Sequence, residues 1–267
     1  MTKITYLIVA IGLFFSQLTY AGSALGAEAQ LPVEQVEDFA TQLEPYAAKQ
    51  GARAFIIARI GRPENELPKG IKFTHTAIAL YSEISLESGE KVNLYAIHNL
   101  YQKTDQRDKS ELVIDYPVDF FWGVNALKAG IIIPNADVQQ RIIEVIASGK
   151  DQQMHNENYS VIANPFNNEF QNCTEHTLNI INAGIYQTTD LALLKSSAKQ
   201  HFQAQRVKVN PLKLLLGNIF VEDVSTKDHS GRVRTTTFST ISQYLEENEL
   251  LAKAVVLESN GKTTELL

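Results

Sequence analysis

The chain has little with which to cross-link itself. Its 267 residues include a single cysteine, Cys173. One cysteine excludes an intrachain disulfide framework and a cysteine-based zinc site. Proline and glycine are scarce, at 8 and 14 residues, which excludes collagen-like and low-complexity organisation. Clustered basic tracts are missing too. The 24 Lys and Arg are outnumbered by 30 Asp and Glu, for a formal net charge of −6. Such a chain is a poor partner for nucleic acid and for anionic membrane surfaces. No apolar run reaches the roughly 20 residues that span a bilayer. No His-x-x-x-His or Glu-paired pattern marks a metal site, and no cofactor is expected.

What is present is ordinary globular composition, with 44% hydrophobic residues. The chain can bury a substantial core. Its first segment reads as an address. Lys3 supplies a small positive region, and Ile4 to Phe15 is an apolar run. Small residues follow at Thr19, Ala21, Ala24 and Ala27. This is the layout of a secretory signal peptide over 1–21, with cleavage as late as 27 as the alternative. No cysteine follows the run, so a lipoprotein anchor is excluded. The expected location is the periplasm or the exterior, with no membrane insertion once the segment is removed. Residues 28–267 are read as one α+β domain.

Periodicity predicts a helix over 32–49, with Val33, Val36, Phe39, Ala40 and Leu43 on one face. Strands are expected at 54–60, 73–81, 92–101 and 112–115. A polar turn containing Ser88-Gly89 joins the second and third as an antiparallel pair. An aromatic patch, Phe120-Phe121-Trp122, follows. Asn135 is a candidate N-cap for a helix over 136–148. A helix over 173–183 is expected to end at Gly184 as its C′ residue. Another helix covers 189–204. Residues 219–224 and 232–238 are read as a hairpin, followed by a helix over 241–247 and a strand over 252–257. Helices mixed with antiparallel strands make the fold class α+β.

The chemistry points to Cys173 and His75. Asn172-Cys173-Thr174-Glu175 sits where a loop becomes a helix. A thiol in the first helical turn meets unpaired N–H groups and the positive end of the macrodipole. That setting is expected to lower its pKa. A thiolate beside an imidazole is the minimal cysteine nucleophile. His75 lies on a predicted strand between the small residues Thr74 and Thr76.

The strand Phe73-Thr74-His75-Thr76-Ala77-Ile78-Ala79-Leu80 resembles the histidine strand of circularly permuted papain-fold (NlpC-type) proteins. Asn172-Cys173-Thr174-Glu175-His176 is similar to the helix start of lecithin–retinol acyltransferase-like proteins, with Thr174 inserted between Cys173 and Glu175. In that permuted group the histidine strand precedes the cysteine helix, as here. Gly61-Arg62-Pro63 with Leu67-Pro68-Lys69-Gly70, the His75 strand, Asn99-Leu100-Tyr101-Gln102, Asn164-Pro165-Phe166 and Gln171-Asn172-Cys173 carry a further likeness. Through them most of the chain resembles the bacterial family called domain of unknown function 2145. The resemblance implies a papain-like core of antiparallel sheet and packed helices, with a Cys–His pair. It implies no substrate.

A third polar group should orient the imidazole. A hairpin centred near residue 87 sets His75 against residues 98 to 100, so both His98 and Asn99 are candidates. They point to opposite sheet faces. An amide is usual in papain-like sites, which favours Asn99. The Cys173 backbone N–H, Gln171 and Asn172 are candidate oxyanion donors. His176 is placed on the helix as a packed or solvated residue, and His155 and His229 in solvated loops.

Two functions follow. The first is an exported cysteine hydrolase or acyltransferase acting on an amide or ester, with an envelope peptide or acyl ester as substrate. The second is a non-catalytic envelope binding protein on the same scaffold, with an inert Cys173.

Overall fold

A computed structural model describes residues 29–85, 88–207 and 224–266. The expected signal peptide lies outside the described residues, as does most of the first strand of the 219–238 hairpin. Among the described residues no helix is long and apolar enough to cross a membrane.

The chain opens with α1 (Val33–Lys49), whose Val36, Phe39, Ala40, Leu43 and Ala47 form one buried stripe. Each large apolar side chain so buried contributes about 1.5–3 kcal/mol. Pro45 sits inside this helix. Strand β1 (Ala54–Ile60) is buried along its whole length. Strands β2 (His75–Ser85) and β3 (Lys91–Gln102) form the expected antiparallel pair, and β4 (Ser110–Asp115) adds to β3. A short helix, α2 (Pro117–Phe121), carries the aromatic patch. Phe120 and Phe121 are core residues, whereas Trp122 is partly exposed.

Strand β5 (Ala126–Pro134) has no counterpart in the sequence reading. It lies between β1 and β8 (Leu251–Glu258), and β9 (Thr263–Glu265) closes that edge. Gly130 lets β5 pass beneath two rings. A Cβ there would lie 2.6 Å from Phe238 and 2.8 Å from Phe73, which themselves pack edge-to-face with centroids 4.8 Å apart. The result is one seven-stranded antiparallel sheet in the order β4-β3-β2-β1-β5-β8-β9.

Helices cover both faces. Alternate residues of β1 point to opposite sides, as strand pleating requires. Ala54, Ile56, Ala58 and Ile60 meet α3 (Ala136–Ala147), α5 (Cys173–Tyr186), α6 (Leu191–His201) and α7 (Phe238–Glu247). Phe55 and Ile57 meet α1 and α2. A four-residue helix, α4 (Lys150–Gln153), follows α3.

Helix ends follow local chemistry. The Asn135 side chain accepts the Val138 N–H and caps α3, as expected. Gly184 does not end α5. The helix runs on to Tyr186, and Gln187 takes the left-handed cap at φ 53°. Gly184 instead marks a close approach, since a Cβ there would lie 3.2 Å from Arg141 Cβ on α3. The helix expected over 189–204 is shorter, because Asp190 caps it and β6 (Gln205–Arg206) begins soon after. The second strand of the expected hairpin is shorter than 232–238. β6 pairs with β7 (Arg234–Thr235), and Phe238 starts α7 behind a Thr237 capping box.

Candidate active site

The β2–β3 ladder runs from Ser85↔Lys91 to Ile78↔His98 and stops there. Each strand continues past that point on its other neighbour. β2 reaches His75 on β1, and β3 reaches Gln102 on β4. The two strands therefore part at His75–Ala77 and Asn99–Gln102. Helix α5 packs on the face away from α1, yet its first residue, Cys173, reaches this opening. The Thr76 backbone N–H is near enough to its thiol to pull the thiol pKa down.

Pairing of Ile78 with His98 fixes which side chains share a face. His75 lies on the face of Asn99 and Tyr101, and His98 lies on the other. The structure thus brings Asn99, not His98, to the imidazole. His75 Nε2 and Asn99 Oδ1 are 2.9 Å apart, and both residues are buried. Asn99 Nδ2 donates to Ile97 O at 2.9 Å and to Asp115 Oδ2 at 3.2 Å. With both amide hydrogens engaged, the atom facing His75 is an acceptor. His75 Nε2 therefore carries the proton, and Nδ1 holds the free lone pair. Nδ1 is buried and has no hydrogen-bond partner.

The rest of the site was not legible as a set of residues in the sequence. Tyr101 stacks on His75 with centroids 4.7 Å apart and planes 8° apart. Its hydroxyl donates to Asp115 Oδ2. Arg59 lies opposite His75 on β1. Its guanidinium is 5.5 Å from the Tyr101 ring and 5.2 Å from the Phe120 ring, and it donates to Phe120 O. An arginine in the otherwise apolar run Ala54 to Ile60 was the available signal for it. Asp115, closing the Leu112-Val113-Ile114 strand, was another.

Burial dominates the electrostatics. It drives the His75 pKa well below the ordinary histidine value, and the Arg59 cation pushes the same way. Only the Asn99 bond opposes them. Burial also raises the Cys173 thiol. The N–H groups of Thr76, Thr174 and Cys173 itself, with Arg59, pull it down by less. Both shifts favour the neutral thiol and the neutral imidazole, and the thiol shift runs opposite to the lowering expected from the helix start. Helix-terminal donors are present, but desolvation of the thiolate outweighs them.

The remaining sequence candidates have other work. The Asn172 side chain caps α5 by accepting the Glu175 N–H at 2.9 Å, and donates to Val161 O and Thr235 Oγ1. Gln171 is fully buried between Asn156 N–H and Met154 O. Both side chains hold the approach to the helix, so neither is presented to an oxyanion. His98 belongs to a group with His155 and His176. Burial pushes His176 down to about 3, and the His155 and His98 charges push the same way. The His155 and His176 rings lie 6.2 Å apart. His155 is half-buried rather than solvated, with Ser110 Oγ 3.0 Å from its Nε2. His229 is no free loop residue either, since its ring meets Ile162 O at 2.9 Å. Among the described residues no group of three or more His, Cys, Asp or Glu could hold a metal ion.

No curated protein and no solved structure matches this chain significantly. One family model does match, over residues 46–245. That span contains His75, Asn99, Tyr101, Asp115 and Cys173, together with most of the sheet. The chain belongs to the family described as "Uncharacterized protein conserved in bacteria (DUF2145)".

Proposed function

We propose that the protein is an exported cysteine hydrolase or acyltransferase acting on an amide or ester of the bacterial envelope. The observation that carries this reading is the His75–Asn99 hydrogen bond, with Asn99 itself anchored by Asp115. It leaves His75 Nδ1 as a base with no competing partner. The Cys173 thiol, near the Thr76 N–H, is the nucleophile.

In this mechanism Cys173 gives its proton to His75 Nδ1 as its sulfur bonds to the carbonyl carbon. The imidazolium returns the proton to the leaving amine or alcohol as the C–N or C–O bond breaks. Water, or a second acceptor, then cleaves the thioester. Starting from the neutral pair, proton transfer accompanies attack. The order of strand histidine, strand amide and helix cysteine is also what a circularly permuted papain-like core would need. Export rests on the signal-like first 21 residues.

Mass spectrometry of protein treated with peptide-amide and acyl-ester probes tests the reading. An acyl adduct on Cys173 is expected, absent from Cys173→Ala and strongly reduced in His75→Ala. Turnover that survives in Cys173→Ala, or no adduct with any probe, overturns it. Burial of both His75 and Cys173 favours a second reading, a non-catalytic binding protein on the same scaffold. Under that reading Cys173→Ser changes nothing measurable.

A further inference from the structure

A second feature lies away from the thiol. A cleft of about 620 Å³ opens between the end of α6 and the β6–β7 ribbon. Its volume is that of a small-molecule site. Lys199, Arg206, Arg232 and Arg234 line it, and no Asp or Glu does. This is notable in a chain whose net charge is −6. Among the described residues none of these four cations is in an ion pair. Asp228, the carboxylate nearest Arg232 in sequence, is buried and does not itself line the cleft. It sits behind two residues that do, accepting the Asn164 N–H at 2.7 Å and facing His229.

The ribbon adds an independent observation. Arg206 and Arg234 are direct cross-strand partners in a ladder only two residues long. Like charges set opposite one another weaken an antiparallel pair. Arg232, two residues before Arg234, adds a third positive charge to the same wall. The protein therefore keeps a local electrostatic cost at the mouth of a concave site. A bound anion removes that cost, and guanidinium forks suit phosphate and carboxylate oxygens. Phe166 and Phe202 give the cleft an apolar part as well.

We propose that this cleft binds a small polyvalent anion bearing phosphate or carboxylate groups. The proposal goes beyond the thiol chemistry and does not depend on it.

Isothermal calorimetry on the full chain tests it, with inorganic pyrophosphate and citrate as separate probes. Saturable binding at one site is expected with at least one of them, weakening as salt is raised. The better probe tells which anion chemistry the site favours. Arg232→Gln and Lys199→Gln are each expected to weaken it about tenfold or more. Lys199 lies outside the ribbon, so its variant separates loss of the site from loss of the ribbon. Lys262→Gln, on the exposed β8–β9 turn, and Cys173→Ala should bind as the parent does. Absence of saturable binding with both probes overturns the proposal. So does equal weakening in Lys262→Gln, which would mark a diffuse surface effect.

Discussion

His75 Nε2 and Asn99 Oδ1 meet at 2.9 Å although their strands are no longer paired at that point. Extending the register sets His75 opposite Tyr101, and that ring stacks on it. Asn99 is the diagonal neighbour on the same face. Diagonal neighbours are within reach of longer side chains. The bond closes across a gap that the backbone leaves open.

Asp115 helps to decide which way the Asn99 amide points. Asp115→Ala removes one of the two acceptors of Asn99 Nδ2 and leaves only the Ile97 carbonyl to keep its NH₂ from turning toward His75. In the turned form the imidazole proton moves to Nδ1 and the base is lost. Acylation of Cys173 is expected to fall by roughly 10²-fold or more. Nitrogen NMR of the His75 ring should report the changed tautomer, which a purely structural role for Asp115 would leave alone.

Gly130 should tolerate no side chain. Gly130→Ala places a Cβ 2.6 Å from Phe238 Cε1 and 2.8 Å from Phe73 Cζ. Neither ring is a flexible end that can swing aside. Overpacking of this kind costs about 1–3 kcal/mol or more. Urea denaturation should show a lower midpoint with an unchanged slope.

Lys195 and Glu175 form a buried ion pair joining α6 to α5, and Lys195 also donates to Asn179 Oδ1 at 3.2 Å. Burial pushes the Glu175 carboxyl up to about 7 against the pull of Lys195. Lys195→Met leaves that carboxylate without its cation. The expected loss is about 3–5 kcal/mol. Lys195→Met with Glu175→Gln should recover much of it, because no buried charge then remains. A double-mutant cycle by chemical denaturation measures the difference.

Acid should destabilise the protein through its buried histidines. His176 is held down to about 3 and His75 well below its ordinary value, both chiefly by burial. Their unfolded values are near 6.5. Each folded pKa lies below the unfolded one, so stability is full above about 6.5 and is lost as pH falls toward 3. The slope is at most about 1.4 kcal/mol per pH unit for each histidine. Glu175 works the other way between about 4.5 and about 7, since its folded pKa is raised. It offsets one histidine there; the lowered His98 and His155 add to the loss, and the raised Asp115, Asp151 and Asp228 reduce it. Urea midpoints at about pH 7.5 and about pH 4.5 check this, and His176→Leu should shrink the difference.

Some of this architecture is local chemistry and was readable from the chain. Apolar spacing over Val36, Phe39, Ala40 and Leu43 makes α1 without help from elsewhere. The β-rich run Ala54 to Ile60 and the alternation in 92–101 make strands. Asn135 and Asn172 cap their helices because a side-chain oxygen is at hand for an orphan N–H. Cys173 and His75 were candidates from their residue types, their places at a helix start and on a strand, and the resemblance of those two segments to papain-fold proteins.

Other features depend on distant partners. Gly184 reads locally as a helix stop, and only the backbone of α3 against it explains why it lies inside α5. Strand β5 carries a glycine and a lysine that mask its period, and burial between β1 and β8 overrides them. Asn99 could be separated from His98 only once the β2–β3 register was set, since one residue of slip exchanges the two faces. The protonation state of the site also had to wait. A helix start alone favours a thiolate, but Cys173 and His75 are both buried. Desolvation, which no local pattern encodes, favours the neutral pair.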